Sequence, residues 1–264
     1  MSVGFIIPLK AKKISNDWAL TSELLNETLN SLRNQTDQNF HVVVVGHDVP
    51  VLSDENNKIV DFLKCTFELP VKKEHVGNVT HVKHIYRIHD KFQKIAEGLI
   101  YLDQHYHCTY YMSLDADDLL NKRVVDYVLK KQNPNGYLLN KGVEFFANRN
   151  QVIYNDNMIS VCGSTFIIHR NHVLIPERLD YEYLIKNRFP FFISHKNVKV
   201  KCEDANIPLE NMPFVSILYK LGHGQNVSNE FRQGFVKGVK LTLKLMLKGK
   251  PLTKKVKNDF AITE

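Results

Sequence analysis

A chain of 264 residues is long enough to bury a full α/β core. Its 44% hydrophobic and 24% charged content is that of a water-soluble globular protein, and no window approaches the roughly 18 uninterrupted apolar residues of a membrane span. The net charge of +7 sits in residues 232–264, where nine Lys/Arg face Asp259 and Glu264, leaving the body balanced at 26 basic against 26 acidic residues. A nucleic-acid binder is expected to carry its basic patch on the folded body, so this distribution argues against one.

The opening Met-Ser-Val-Gly-Phe-Ile-Ile-Pro lacks the basic-then-apolar order of a secretory signal, so a cytoplasmic protein is expected. Cys65, Cys108, Cys162 and Cys202 form no Cys-x-x-Cys pair and are expected to be reduced thiols. The Asn-x-Ser/Thr sequences at Asn26, Asn34, Asn78 and Asn226 are expected to be unmodified for want of a secretory route.

In chain order, Val3 to Pro8 predicts a buried first strand closed by proline. Asp17 to Asn34 places Leu24, Leu25, Thr28, Leu29 and Leu32 at helical spacing. Phe40 to Val45 follows, with Val42 to Val45 too uniformly apolar for a strand covered on one face only. Strand, helix, strand makes a βαβ unit. Val49 to Glu74 is polar and carries no assignment. Between Arg87 and Leu99 the residues Phe92, Ile95, Ala96 and Leu99 share a helical face, with Asp90 as the expected N-cap beside Arg87, Lys91 and Lys94. A helix start among cations suits a diphosphate, and the competing reading is solvated helix charge.

The next stretch, Tyr110 to Leu120, is an apolar run ending in Asp115, Asp117 and Asp118. Three carboxylates within four positions repel one another, and a divalent cation is the simplest neutraliser. The plainer alternative is an N-cap for the helix predicted over Leu120, Val124, Tyr127, Val128 and on to Lys131, with Asp118 the best placed cap. That helix stops at Asn133-Pro134-Asn135-Gly136. Val152 to Tyr154, Val161 to His169 and Phe214 to Tyr219 read as further strands.

The run Ser31-Leu32-Arg33-Asn34-Gln35-Thr36, then Phe40 and Val42 to Val45, resembles the opening of family 2 glycosyltransferases. Leu114-Asp115-Ala116-Asp117-Asp118 resembles the Asp-x-Asp metal site of the same enzymes. The resemblance covers roughly the first half of the chain. It implies the GT-A fold: a Rossmann-like, mostly parallel sheet flanked by helices, here with a C-terminal amphipathic helical tail. It also implies a nucleotide-diphosphate sugar donor, a saccharide or glycolipid acceptor, and Mn or Mg. Pro8, Asp48, Lys91 and Asp115 are the implied donor-binding residues, and Asp115 and Asp117 the implied metal ligands. The chain departs from the family after its second strand, where Gly46-His47-Asp48 leaves one acid in place of two.

The acceptor side is expected to supply a general base, with the family-like pair Glu203-Asp204 first and Asp180 and Glu182 as rivals; an exposed turn is the alternative for the pair. His223, flanked by Gly222 and Gly224, resembles the late metal-binding histidine of many GT-A enzymes. His81, His84, His169, His172 and His195 form no spacing that points to a site.

Residues 1–231 are therefore expected to form the transferase domain, with 1–131 the donor half and 132–231 the acceptor half, and 232–264 a basic tail. Within that tail Phe235, Val236, Val239, Leu243, Met246 and Leu247 share one helical face and Lys237, Lys240, Lys244 and Lys248 the other. Such a helix can lie on an anionic membrane surface at the inner face of the membrane, or pack on the domain with its lysines in water. A haloacid-dehalogenase-like phosphatase and a non-catalytic carbohydrate- or membrane-binding protein are the rival functions.

Overall fold

The computed structural model describes residues 1–69, 79–186, 190–222 and 235–263, and the side chains within them other than those of 79–85 and 235–241. Strand β1 (Val3–Pro8) is buried from Val3 to Ile7. Helix α1 (Trp18–Arg33) starts at Asp17, whose side chain accepts from the Leu20 N–H, and buries the predicted Leu24, Leu25, Thr28, Leu29 and Leu32. Strand β2 (Phe40–Gly46) then pairs parallel to β1. Its apolar run is explained by burial on both faces: Val42 and Val44 join the core beneath α1, Val43 and Val45 the core on the opposite side.

The stretch without an assignment holds a short helix α2 (Asp54–Asn57) and a strand β3 (Val60–Lys64) that pairs parallel to β2. None of the β3 residues is fully buried, because β3 is the edge of its sheet. An edge strand needs less apolar sequence, which is why pattern reading passes over it.

Helix α3 (Val79–Tyr106) is 28 residues long, well beyond the predicted Arg87–Leu99 segment. This corrects the reading of Asp90, which lies inside the helix, buried, and caps nothing. Helix α3 delivers the chain to β4 (Tyr110–Ser113), which pairs parallel to β1 on the side away from β2. The parallel order β3-β2-β1-β4 reverses between β1 and β4. In open α/β sheets, ligands bind outside the carboxyl ends of strands at that reversal.

After β4 the chain enters a second sheet through β5 (Asp118–Leu120). Asp118 and Leu120 therefore belong to a strand, and helix α4 (Val124–Lys131) begins after Arg123 with no side-chain cap. The expected capping role of Asp118 is corrected accordingly. Strands β6 (Gly136–Leu138), β9 (Phe166–His169) and β10 (Glu210–Asn211) return to the first sheet beside β4, with β9 antiparallel to it. Strands β7 (Gly142–Phe146), β8 (Gln151–Asn155), β11 (Ile217–Leu221) and β12 (Lys250–Pro251) complete the second sheet. Val161 precedes β9 by a loop, so the strand is shorter than predicted.

Helices α5 (Tyr181–Lys186) and α6 (His195–Asp204) lie between β9 and β10, and α7 (Phe235–Lys248) and α8 (Lys254–Phe260) follow β11. The tail is built into the fold: β12 pairs with β8, and Val256 and Phe260 pack against Leu119, Val143 and Phe145. Lys122 bonds Asp259 through its backbone N–H at 2.9 Å and its ammonium at 3.4 Å. Among the described residues no helix is long and apolar enough to cross a membrane, and the four cysteines are free thiols.

Candidate functional site

A cavity of about 860 Å³ opens at the reversal between β1 and β4. Pro8 and Lys10 reach it from the end of β1, Ser113, Asp115, Ala116 and Asp117 from the end of β4, and Arg87 and Lys91 from α3. Arg87 and Lys91 stand four residues apart in the interior of α3 and so share a face. The phosphate-binding reading based on a helix start is thus replaced by two side chains projecting from the middle of a long helix. The lining also has a large apolar part, which includes Phe92, Phe166, Phe191, Phe192 and Tyr219.

The three carboxylates have different surroundings. Asp115 is part-exposed, and its Oδ1 lies 2.5 Å from Lys91 Nζ. Its own N–H donates to Ser164 Oγ at 2.8 Å. Burial alone would lower the Lys91 pKa, but Asp115, with Asp118 and Asp117, outweighs it and raises the value, so the ammonium stays charged. Asp117 lines the cavity half-buried. Asp118 is wholly buried beneath them: Cys162 Sγ donates to its Oδ2 at 3.2 Å, and its Oδ1 has no partner. Burial first, then the like charges of Asp117 and Asp115, raise its carboxyl well above the ordinary range. Burial first, then Asp118 and Asp115, push up the Cys162 thiol, which remains a donor.

The loop 162–165 before β9 frames this group. A Cβ on Gly163 would stand 3.1 Å from Asp115 Oδ2 and 3.5 Å from Lys91 Nζ, so a residue without a side chain fits here. Gly163 and Ser164 thus belong to the site, although the sequence around them read only as strand.

A second network holds the wall in place. Lys94, 1% exposed, donates to the Leu9 carbonyl at 2.7 Å and to Asp90 Oδ2 at 2.6 Å. Asp90 Oδ1 meets His47 Nε2 at 2.8 Å. One buried ion pair therefore ties the ends of β1 and β2 to α3. Asp48, next to His47, accepts from the Lys12 N–H at 2.8 Å and is not among the residues that line the cavity.

Glu203 and Asp204 are also placed elsewhere. They occupy the exposed last turn of α6, with Lys199 3.9 Å from Glu203 and Lys201 3.6 Å from Asp204. Neither lines the cavity, because α6 presents its first turn, through His195 and Asn197, and Lys201 to it. Asp180 binds Arg178 at the surface, and Glu182 is exposed. His195, which no spacing singled out, lines the cavity with its Nε2 buried and unpartnered; burial first, then Lys91, lowers its pKa. His223 lies outside the described residues.

Among the described residues no three His, Cys, Asp or Glu side chains form a preformed metal cluster. Two carboxylates, Asp115 and Asp117, do face the cavity, and one of them already holds a cation in Lys91. That donor set fits a hard cation that takes one or two carboxylates and completes its shell from a diphosphate and water.

No protein-family model matches the chain, and no curated protein matches it. Among solved structures, S. aureus TarS 1–349 in complex with UDP-GlcNAc matches at TM-score 0.42 and 13% identity, over 90% of this chain and 61% of that one. S. aureus TarS 1–349 alone matches at TM-score 0.40 and 13% identity, over 83% and 60%. The longer S. aureus TarS matches at TM-score 0.38 and 13% identity, over 94% and 40%. The chain thus spans about 60% of the length of the first two.

Proposed function

We propose that the protein is a glycosyltransferase of GT-A type that moves a sugar from a nucleotide-diphosphate donor to a hydroxyl acceptor on a saccharide or glycolipid. The observation that carries the reading is the cavity at the β1/β4 reversal. There Asp115 and Asp117 together with the cationic Lys10, Arg87 and Lys91 line a space within the usual range for small-ligand sites. Cations suit a diphosphate, and carboxylates suit the ribose and a bridging metal. The motif resemblance around Ser31–Thr36 and Asp115–Asp118 supports the same assignment.

In this reading Lys91 orients Asp115, and Ser164 fixes the Asp115 backbone from the other side. Asp115 contacts the donor, and Asp115 and Asp117 would hold Mn or Mg. When bound, the metal supplies Lewis-acid neutralisation of the leaving diphosphate. Arg87 and Lys10 add positive charge to the lining, and its aromatic residues would exclude water from the donor.

A thermal-shift screen of nucleotide sugars, with UDP-GlcNAc among them, tests the reading with and without Mn²⁺, since a ligand that binds only the folded state raises its apparent stability. A shift with one donor that needs Mn²⁺ is expected. Asp117→Asn should keep the fold and lose metal-dependent donor turnover. A full-activity Asp117→Asn variant, or hydrolysis of generic phosphate esters in place of donor, sinks the assignment.

A further inference from the structure

Helix α7 meets the rest of the protein with the side that its pattern marks as polar. Lys244 turns inward to the buried Glu144, at 3.1 and 3.3 Å from its two carboxylate oxygens. Leu245, one residue on, is buried with Phe146, Ile153 and Leu221. The predicted apolar face consequently points away: Leu243 is 53% exposed, Met246 76% and Leu247 83%. These three lie at i, i+3 and i+4 and so share one face of the helix. Three adjacent large apolar side chains in water mark a contact surface rather than scattered exposure.

The surroundings select the occupant. Lys248, Lys250, Lys254 and Lys255 are all exposed along the following turn and helix. Asp259 is the single acid of the tail among the described residues, and it is held by Lys122. Tyr154, itself 44% exposed, lies under Lys250, whose ammonium is 5.3 Å from the ring centroid. An apolar stripe beside uncompensated lysines is complementary to a surface with an oily interior and an anionic rim. It is a poor match for a second copy of itself, since docking two such faces would bring the same lysines together.

We propose that α7 lies in the plane of an anionic lipid surface, with Leu243, Met246 and Leu247 inserted below the headgroups and the lysines of the following segment resting on the phosphates. The tail is then a docking face of the folded domain. A glycolipid acceptor would be met at that surface, but the docking stands independently of the sugar-transfer reading.

The test is co-sedimentation of the full chain with phosphatidylglycerol/phosphatidylcholine vesicles and with pure phosphatidylcholine vesicles. It compares wild type with a Leu243→Ser, Met246→Ser, Leu247→Ser triple variant. The triple variant changes only exposed side chains, and a thermal melt verifies its fold. Wild type is expected to bind anionic vesicles at least on the order of tenfold more tightly than neutral ones, and the triple variant to lose about that factor. Equal binding of the two proteins would mean that charge alone holds them and would overturn the proposal. So would no binding to anionic vesicles, or a concentration-dependent dimer in light scattering that the triple variant abolishes.

Discussion

Lys91 Nζ and Asp115 Oδ1 lie 2.5 Å apart across the gap between α3 and the end of β4. The pair joins the acids at the end of β4 to the cationic residues of α3. Asp118 is kept out of the cavity by burial, Asp115 pairs with Lys91, and Asp117 lines the cavity beside them.

Lys91→Met removes that cation from a part-exposed site and should leave the fold in place. Loss of a preorganised charge at the leaving group typically costs about 10²–10³ in kcat. We expect a decrease of that order in donor turnover, measured as kcat and KM separately. A change confined to KM would mean that Lys91 only positions the donor.

Lys94→Met strikes the second network. It leaves Asp90 buried opposite His47 with no lysine, and removing one partner of a buried pair costs about 3–5 kcal/mol. Urea denaturation should show a loss of unfolding free energy of that size, read as a lowered midpoint with an unchanged m-value. A loss below about 1 kcal/mol, the range of exposed pairs, would show that the ion pair does not hold the ends of β1 and β2.

The pH dependence of stability should carry the signature of Asp118. Its folded pKa is raised, so between the ordinary value of 3.8 and the raised one the folded protein keeps a proton that the unfolded chain has released. The associated stability is complete below the ordinary value and is lost as pH rises through the folded one. Asp118→Asn abolishes this titration. In EDTA the stability of the variant relative to wild type should therefore increase with pH, with a limiting slope of about 1.4 kcal/mol per unit. A difference that stays constant from pH 5 to 9 would show that Asp118 ionises normally.

Much of the first half was legible because its signals are local. The period of α1, the two-sided apolar run of β2 and the Asp-x-Asp-Asp at the end of an apolar strand each reflect a backbone geometry that repeats over a few residues. The sequence also marked Lys91, Asp115 and Asp117, all of which face one cavity.

Other relationships depended on residues distant in the chain. Asp90 looked like a cap because the apolar face of α3 is continuous only from Phe92, yet Lys94 and His47 fix it inside a longer helix. Gly163 and Ser164 join the site because β9 runs antiparallel beside β4, a pairing no short window can contain. Glu203 and Asp204 had a suitable composition, but the direction of α6 turns its last residues toward solvent.

The sequence by itself determined the opening β1-α1-β2 unit, the acids and cations available to the site, and the amphipathic pattern of the tail. Only the tertiary structure decided which carboxylate is buried, which meets Lys91, and which face of α7 is left in water. The first set follows from the period of the backbone, while the second depends on which neighbour each side chain meets.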